Sequence, residues 1–354
     1  MKKPTTRYTK PTDIPSHATF AGIDYHKRFS VVALGDENGN LLGIFKLFND
    51  NEAHVRAFFA RFPGLHCAIE NCRGKEWFVE LLKEVGCVVK VSNTYAVKLI
   101  AESRCKTDKI DARILMELLS KGFLPTVYQP SPEEVALRER LRWRTNLMRS
   151  RTQYKNRVHA LLDKENKGTN IDSVKRRTKI FDEQPLSSHR QQLLDGHLEV
   201  VEFFQELVTS EDKRLELMAA SNEDAQRLQS IPGIGDIVSM MFLAEIGDVT
   251  RFKNARKVAG YFGLTSRLYS TSDTRRLGPI TKQGSGLMRW VLVQAAWHAI
   301  RKSPYFLHRY TEIKNRRGKG PAIVAVARML AEVAYRVLRD KTSYDEAKLW
   351  SNAS

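Results

Sequence analysis

The run from Thr19 to Asn49, TFAGIDYHKRFSVVALGDENGNLLGIFKLFN, is the segment that most restricts the fold. Its β-branched and aromatic stretches are broken by short polar turns, GDENGN among them, and this is the pattern of strands joined by hairpins. Beyond Asn49 helical and strand patterns alternate. NEAHVRAFFARF has helical spacing, HCAIEN reads as a short buried strand, KEWFVELLKEVG as a helix closed by Gly86, and CVVKVSN as a further strand. Hairpin strands leading into β-α-β units predict an α/β domain with a mixed sheet over residues 18–129. Ahead of it, the Pro-, Thr- and Lys-rich residues 1–17 read as a disordered basic arm.

From Pro130 the pattern changes to long, highly charged helices. Leu137, Leu141, Met148, Val158, Leu161 and Leu162 keep a three-and-four spacing, as do Leu194, Leu198, Val201, Val208, Leu215 and Met218. Residues 130–222 are therefore expected to form coiled-coil helices, paired within the chain or across a dimer, joined by the polar stretch DKENKGTNIDSVKRRTK. Near Leu228 a third composition begins, mainly helical over residues 223–345, with a tail at 346–354. There Pro232-Gly233-Ile234-Gly235 lies between two helical patterns, a helix-hairpin-helix signature whose Gly233 and Gly235 let backbone N–H groups approach a phosphate. A plain glycine-rich helix turn fits the same residues.

The chain carries 58 Lys and Arg against 40 Asp and Glu, a net charge of +18. Such an excess over a whole chain points to a polyanion, foremost nucleic acid. No run reaches the length of a membrane span, and the first residues lack the apolar core of a signal peptide, so a cytoplasmic protein without a membrane role is expected. The four cysteines match no zinc spacing and read as reduced thiols.

Against this basic background, four acids stand out. Asp24 and Glu70 close two buried strand runs, and strand ends in an α/β sheet converge on a cleft. Asp108 and Asp111, in KTDKIDARIL, fall on one face of a helix near its N-terminus. Taken alone, Asp108 reads as a helix cap and Asp111 as a first-turn acid paired with Arg113 or Lys106. Taken together, four clustered carboxylates repel unless a divalent cation neutralises them. Oxygen-only donors suit Mg²⁺ (or Mn²⁺), and a pair of such ions can drive phosphodiester cleavage.

The blocks GIDYHKRFSVVAL, CAIEN, KTDKIDARIL, SIPGIG, YFGLTSRLYSTSDTRRLG and ITKQGSGLMRWVLVQAA resemble, in order, those of the "IS one-ten" family of insertion-sequence transposases, and of its "eleven-eleven" subgroup. The resemblance runs from about Ala18 to Asp340. It implies a RuvC-like, RNase-H-type domain with its D-E-D-D metal ligands at Asp24, Glu70, Asp108 and Asp111, a coiled-coil segment and a C-terminal transposase domain. It also implies a structured noncoding guide RNA that directs the enzyme to double-stranded DNA, a homo-oligomer (dimer or tetramer), and a bacterial, nucleoid-associated setting. Lys106, Lys109 and Arg113 would then meet phosphates.

The family also carries a nucleophilic serine shortly before its T/S-K-x-G block. Counting back from Lys282 selects Ser270, although the glycine that commonly comes next is replaced here by Thr271; Thr271 and Ser272 are the neighbouring alternatives. YSTSDTRRLGPITKQGSGLMRW reads as a surface loop in which Arg275, Arg276, Lys282 and Arg289 bind phosphates. A serine hydroxyl needs a metal or base to activate it, which argues for a composite site with the acids. On the first long helix, Arg149, Arg151, Lys155 and Arg157 are the RNA-binding candidates. The rival readings are a metal-dependent RuvC-like junction nuclease, which leaves the serine unused, and a non-enzymatic nucleic-acid scaffold.

Overall fold

A computed structural model describes residues 8–101, 107–164, 187–271 and 274–351. The chain divides into two compact units, Met1–Gln129 and Pro130–Ser354. Among the described residues no helix is long and apolar enough to cross a membrane.

The first unit is built on a five-stranded mixed sheet. Strands β1 (Phe20–Tyr25), β2 (Phe29–Gly35) and β3 (Leu41–Phe48) form antiparallel hairpins, as the turn residues predict. After helix α1 (Glu52–Phe59), β4 (His66–Glu70) returns parallel to β1 on its other side; after α2 (Glu76–Glu84), β5 (Val88–Ser92) lies parallel to β4. The order is β3-β2-β1-β4-β5. Helices α3 (Thr94–Ile100) and α4 (Asp108–Ser120) complete the unit's elements.

Strand alternation sorts the two faces. Ile23, Tyr25, Val32 and Leu34 join Phe58, Phe59 and Phe78 of α1 and α2 in one core, while Val31, Ala33 and Ile44 face Ala112 and Met116 of α4. Gly22 lies on the α4 face, and a Cβ there would stand 2.0 Å from the Ala112 carbonyl oxygen. The glycine is what lets α4 press against β1. Gly22→Ala is therefore expected to cost about 3 kcal/mol, read by urea unfolding, and to push the first turn of α4 off the sheet.

Part of the lead segment, read from composition as disordered, lies on this sheet. Thr9 donates its N–H to the Ile44 carbonyl (2.7 Å) and accepts from the Ile44 N–H through its hydroxyl (2.9 Å), using the open edge of β3.

The second unit begins with α5 (Pro132–Asp163), which has a capping box at Ser131 and Glu134, and α6 (Ser188–Ala220). They run antiparallel within one chain: Arg140 meets Glu211 (3.2 Å), Arg144 meets Asp212, and Val158 and Leu162 pack on Leu194 and Leu198. Leu147 and Thr145 are buried where the spacing favoured Met148, and Met218 is exposed. Two short helices, α7 (Glu223–Gln229) and α8 (Asp236–Ile246), are joined by a short turn, and α9 (Ala255–Tyr261) comes after them. Next are the strands β6 (Ser266–Thr271) and β7 (Thr274–Ile280), then α10 (Gly286–Lys302), α11 (Pro304–Arg317), α12 (Lys319–Asp340) and α13 (Ala347–Ser351).

The sequence separates residues 130–222 from 223–345, but Leu141, Leu215 and Ala219 share one core with Phe242, Phe262, Leu292 and Leu330. Helix α12 is its centre, and Tyr335 donates its hydroxyl to the Phe252 carbonyl (2.8 Å). Residues read as a tail are docked as well: Glu346 accepts from Ser303 Oγ and Tyr305 N (both 2.9 Å), and Trp350 packs edge-on against Tyr305.

Candidate active site

Asp24 is the centre of the acidic cluster. It shares the α4 face of β1 with Gly22 and is only 4% exposed. Parallel pairing of Ile23 with Ile69 brings Asp24 and Glu70 to the same end of adjacent strands. Because Gly22 admits α4 so closely, the first turn of that helix delivers Asp108 and Asp111 to this end. The helix cap is Thr107, whose side chain accepts from the Ile110 N–H (3.4 Å), so Asp108 is not the cap that its position in the sequence suggests. Its carboxylate is left to face the strand end.

The sequence reading missed His26. Its Nε2 lies 3.1 Å from Asp24 Oδ2 and 3.5 Å from Asp108 Oδ2, while its ring packs on Phe29 (4.8 Å between centroids). Asn49 Nδ2 donates to the His26 carbonyl (2.6 Å) and fixes its backbone. The one available signal was its spacing, two residues beyond an acid at a strand end.

The electrostatics agree with this convergence. The Asp24 carboxyl is pushed up to about 6, first by burial and then by Asp108, Glu70 and Asp111, with His26 pulling the other way. Tyr8 is raised too, by burial and then by Asp108 and Asp24, so the lead segment reaches the same place. Donor atoms of Asp24, His26 and Asp108 lie within 4.8 Å of one another, an arrangement that fits a divalent cation. Glu70 and Asp111 act on Asp24 through their charge but stand outside that tight trio.

The cations expected around the acids are placed less uniformly. Arg113 pairs with Glu117 (2.6 Å), one helical turn on, and Lys109 Nζ stands 3.9 Å over the ring of Tyr8. Lys106 lies outside the described residues.

In the second unit, the segment read as a surface loop is a two-stranded antiparallel ribbon. Ser270 pairs with Arg275, Tyr269 with Arg276 and Thr271 with Thr274; Ser272 lies outside the described residues. Hydroxyl-rich composition concealed strands whose Thr and Tyr content suits a ribbon. Lys282, just past β7, is exposed and has φ +56°, an uncommon conformation for a side-chain-bearing residue. Arg289 is not a free phosphate ligand: its Nη1 donates to the carbonyls of Phe262 (3.1 Å), Gln283 (2.7 Å) and Gly284 (3.2 Å).

At the α7–α8 turn the two glycines differ. Gly233, with φ +90°, faces α10, where a Cβ would stand 2.4 Å from the Ala295 carbonyl oxygen, so helix packing accounts for it. Gly235 is exposed and open. On α5, Arg138 donates to the Ala244 carbonyl (2.6 Å) at the end of α8, and Arg151 donates to Gln205. Arg149 and Arg157 are exposed, the latter over the Tyr154 ring, and Lys155 is half-buried.

Residues 21–166, which include all four acids, match the sequence profile of the DEDD transposases of the IS110 type, described as a transposase. Residues 225–311, which include the α7–α8 turn and the ribbon, match the profile described as transposase IS116/IS110/IS902 family. The transposase for insertion sequence element IS1328 of Yersinia enterocolitica is 27% identical over 336 residues, covering 93% of this chain and 99% of that protein. The transposase for IS1111A of Coxiella burnetii is 26% identical over 292 residues, 78% of each chain. The pilin gene-inverting protein of Moraxella bovis is 25% identical over 270 residues, 73% of this chain and 74% of that one. With an acid cluster inside the first match and the ribbon inside the second, the chain belongs to the IS110 family of DNA transposases.

Proposed function

We propose that the protein is an RNA-guided DNA transposase that cleaves and rejoins strands through a metal-binding acid site and a serine nucleophile. The observation that carries the reading is the convergence of Asp108, Glu70 and Asp111 on buried Asp24. The strand order, with three antiparallel strands and then parallel β4 and β5, supports a RuvC-like, RNase-H-type core. Asp24, Glu70, Asp108 and Asp111 would hold Mg²⁺ or Mn²⁺, with His26 beside them. When bound, such ions neutralise the phosphate and stabilise the leaving oxygen.

This chain's residues keep the carboxylates crowded and Asp24 away from water. Ser270 Oγ attacks the phosphodiester, losing its proton; a serine-phosphate bond replaces the bond to one sugar oxygen, which takes up a proton as it leaves. Arg275, Arg276 and Lys282 hold the DNA around the ribbon, with Gly235 as a backbone contact at the α7–α8 turn. The enzyme acts on double-stranded DNA of the bacterial nucleoid as a dimer or tetramer.

Guidance by RNA is assigned to the α5 surface. Arg138, Arg140, Arg144 and Arg151 are engaged within the unit, which leaves Arg149, Lys155 and Arg157 as the better phosphate ligands. Sequencing RNA that copurifies with the wild type should recover one defined species encoded beside the gene. Replacing Arg149, Lys155 and Arg157 with Ala should weaken its binding about tenfold or more and flatten the salt dependence by close to three phosphates' worth. Bulk cellular RNA without enrichment would remove RNA guidance from the reading.

A further inference from the structure

A cleft of about 710 Å³ opens in the second unit between α9, the Val249–Arg251 turn and the foot of the β6–β7 ribbon. Arg251, Lys253, Arg256 and Lys257 line it, and none of its lining residues is acidic. Arg251 is a brace: its Nε donates to the Ile246 carbonyl (3.0 Å) and its guanidinium covers Phe252 and Tyr261. Lys253, Arg256 and Lys257 are exposed and make no ion pair among the described residues.

Gly260 gives a second, independent sign. It lines the cleft one helical turn beyond Arg256 and Lys257, yet its φ is unexceptional and a Cβ would meet nothing closer than Thr265 Oγ1 at 3.9 Å. Neither packing nor backbone geometry asks for glycine there, and in a helix it costs about 1 kcal/mol relative to alanine. A bare position beside cations suits close approach of another backbone. Thr265 and Gln283 add uncharged polar groups where the ribbon begins and ends, with Thr281 N–H donating to the Thr265 carbonyl (2.9 Å) to close its base.

We propose that this cleft is a binding groove for the phosphodiester backbone of duplex DNA, which it leads to the foot of the ribbon. The choice of DNA rests on the transposase reading above and on the state of the cleft's aromatics. Unpaired RNA is held by stacking bases on open rings. Here Phe252 is buried, and the Tyr261 ring is flanked by Phe252, Phe262 and the Arg251 guanidinium. Cations with no stacking platform read a duplex backbone without regard to sequence.

The test uses the full chain, a fluorescent DNA duplex and anisotropy titrations from 50 to 200 mM KCl. Joint replacement of Lys253, Arg256 and Lys257 with Ala should weaken binding at least tenfold. It should also lower the slope of log K against log salt by about 2.7, from roughly 0.9 for each phosphate released. A charge-matched control, Lys314, Arg317 and Lys319 to Ala on the α11–α12 turn, should change the slope by less than half as much. Gly260→Met fills the floor without removing charge and should weaken DNA binding severalfold, with the melting temperature held or raised. Equal slopes for the two triple variants, or an unchanged slope for the cleft triple, would overturn the proposal. So would selective loss of binding to a transcript of the gene's flanking DNA with duplex binding retained. Because binding is read without cleavage, inactivity of the wild type in strand cleavage alongside the expected slopes would sink the strand-joining reading and leave the groove standing.

Discussion

Asp24→Asn is expected to abolish strand cleavage and, in metal-free buffer near pH 7.5, to raise the melting temperature. Both effects come from one placement. Asp24 is buried at a strand end among Asp108, Glu70 and Asp111, and its carboxyl titrates near 6, above the ordinary range. The unfolded chain loses this proton near pH 4, whereas the folded chain keeps it until about pH 6. Between those values the folded state binds more protons, so the Asp24 contribution makes stability fall as pH rises, and it stays level above. The ionised carboxylate thus destabilises the metal-free fold by about 2–3 kcal/mol at neutral pH.

Asn keeps the shape and removes that strain, so the fall between pH 4 and 6 should shrink in the variant. Added Mn²⁺ should reverse the ranking, since binding to the folded wild type stabilises it by mass action and the variant lacks the central charge. Loss of cleavage should be on the order of a thousandfold or more, the scale for removing one preorganised electrostatic stabiliser. If the variant melts below wild type in chelator at pH 7.5, the acids do not crowd one another as described.

Much of this site was legible in the sequence because its parts are local. Asp24 and Glu70 end apolar runs that had to be strands, and the spacing of Asp108 and Asp111 had to place them on one helical face. What the sequence hid were relations between distant segments. His26 takes its meaning from Asp108, which only the close approach at Gly22 brings near. Arg138, Arg140 and Arg144 looked like surplus positive charge until α6 and α8 supplied Glu211, Asp212 and the Ala244 carbonyl. Gly233 looked like a phosphate-binding turn residue, but the nearby backbone is that of α10. The cations of RFKNARK attracted no notice because nothing in their spacing says that Gly260 and Gln283 complete a cleft with them.

Ser270→Ala should eliminate excision of the element from a reporter plasmid in cells, a fall to the level of a strain without the gene. Ser270 is favoured over its neighbours by its distance ahead of Lys282 in the T/S-K-x-G block. Ser272→Ala and Thr271→Val should therefore retain excision within about tenfold, the scale of one lost neutral hydrogen bond. Loss of excision in either of them with Ser270→Ala still active would move the nucleophile.

The most direct measurement is capture of the joined intermediate. Purified protein, the copurified RNA, element-end DNA and Mg²⁺ are combined, quenched in denaturant, digested, and the peptide–nucleotide adduct is sequenced by mass spectrometry. The expected result is an adduct on the peptide containing Ser270 that disappears with chelator, with Asp24→Asn and with Ser270→Ala. DNA cleavage that proceeds under these conditions with no adduct on any residue would contradict serine attack, leaving water as the nucleophile and a junction nuclease as the enzyme.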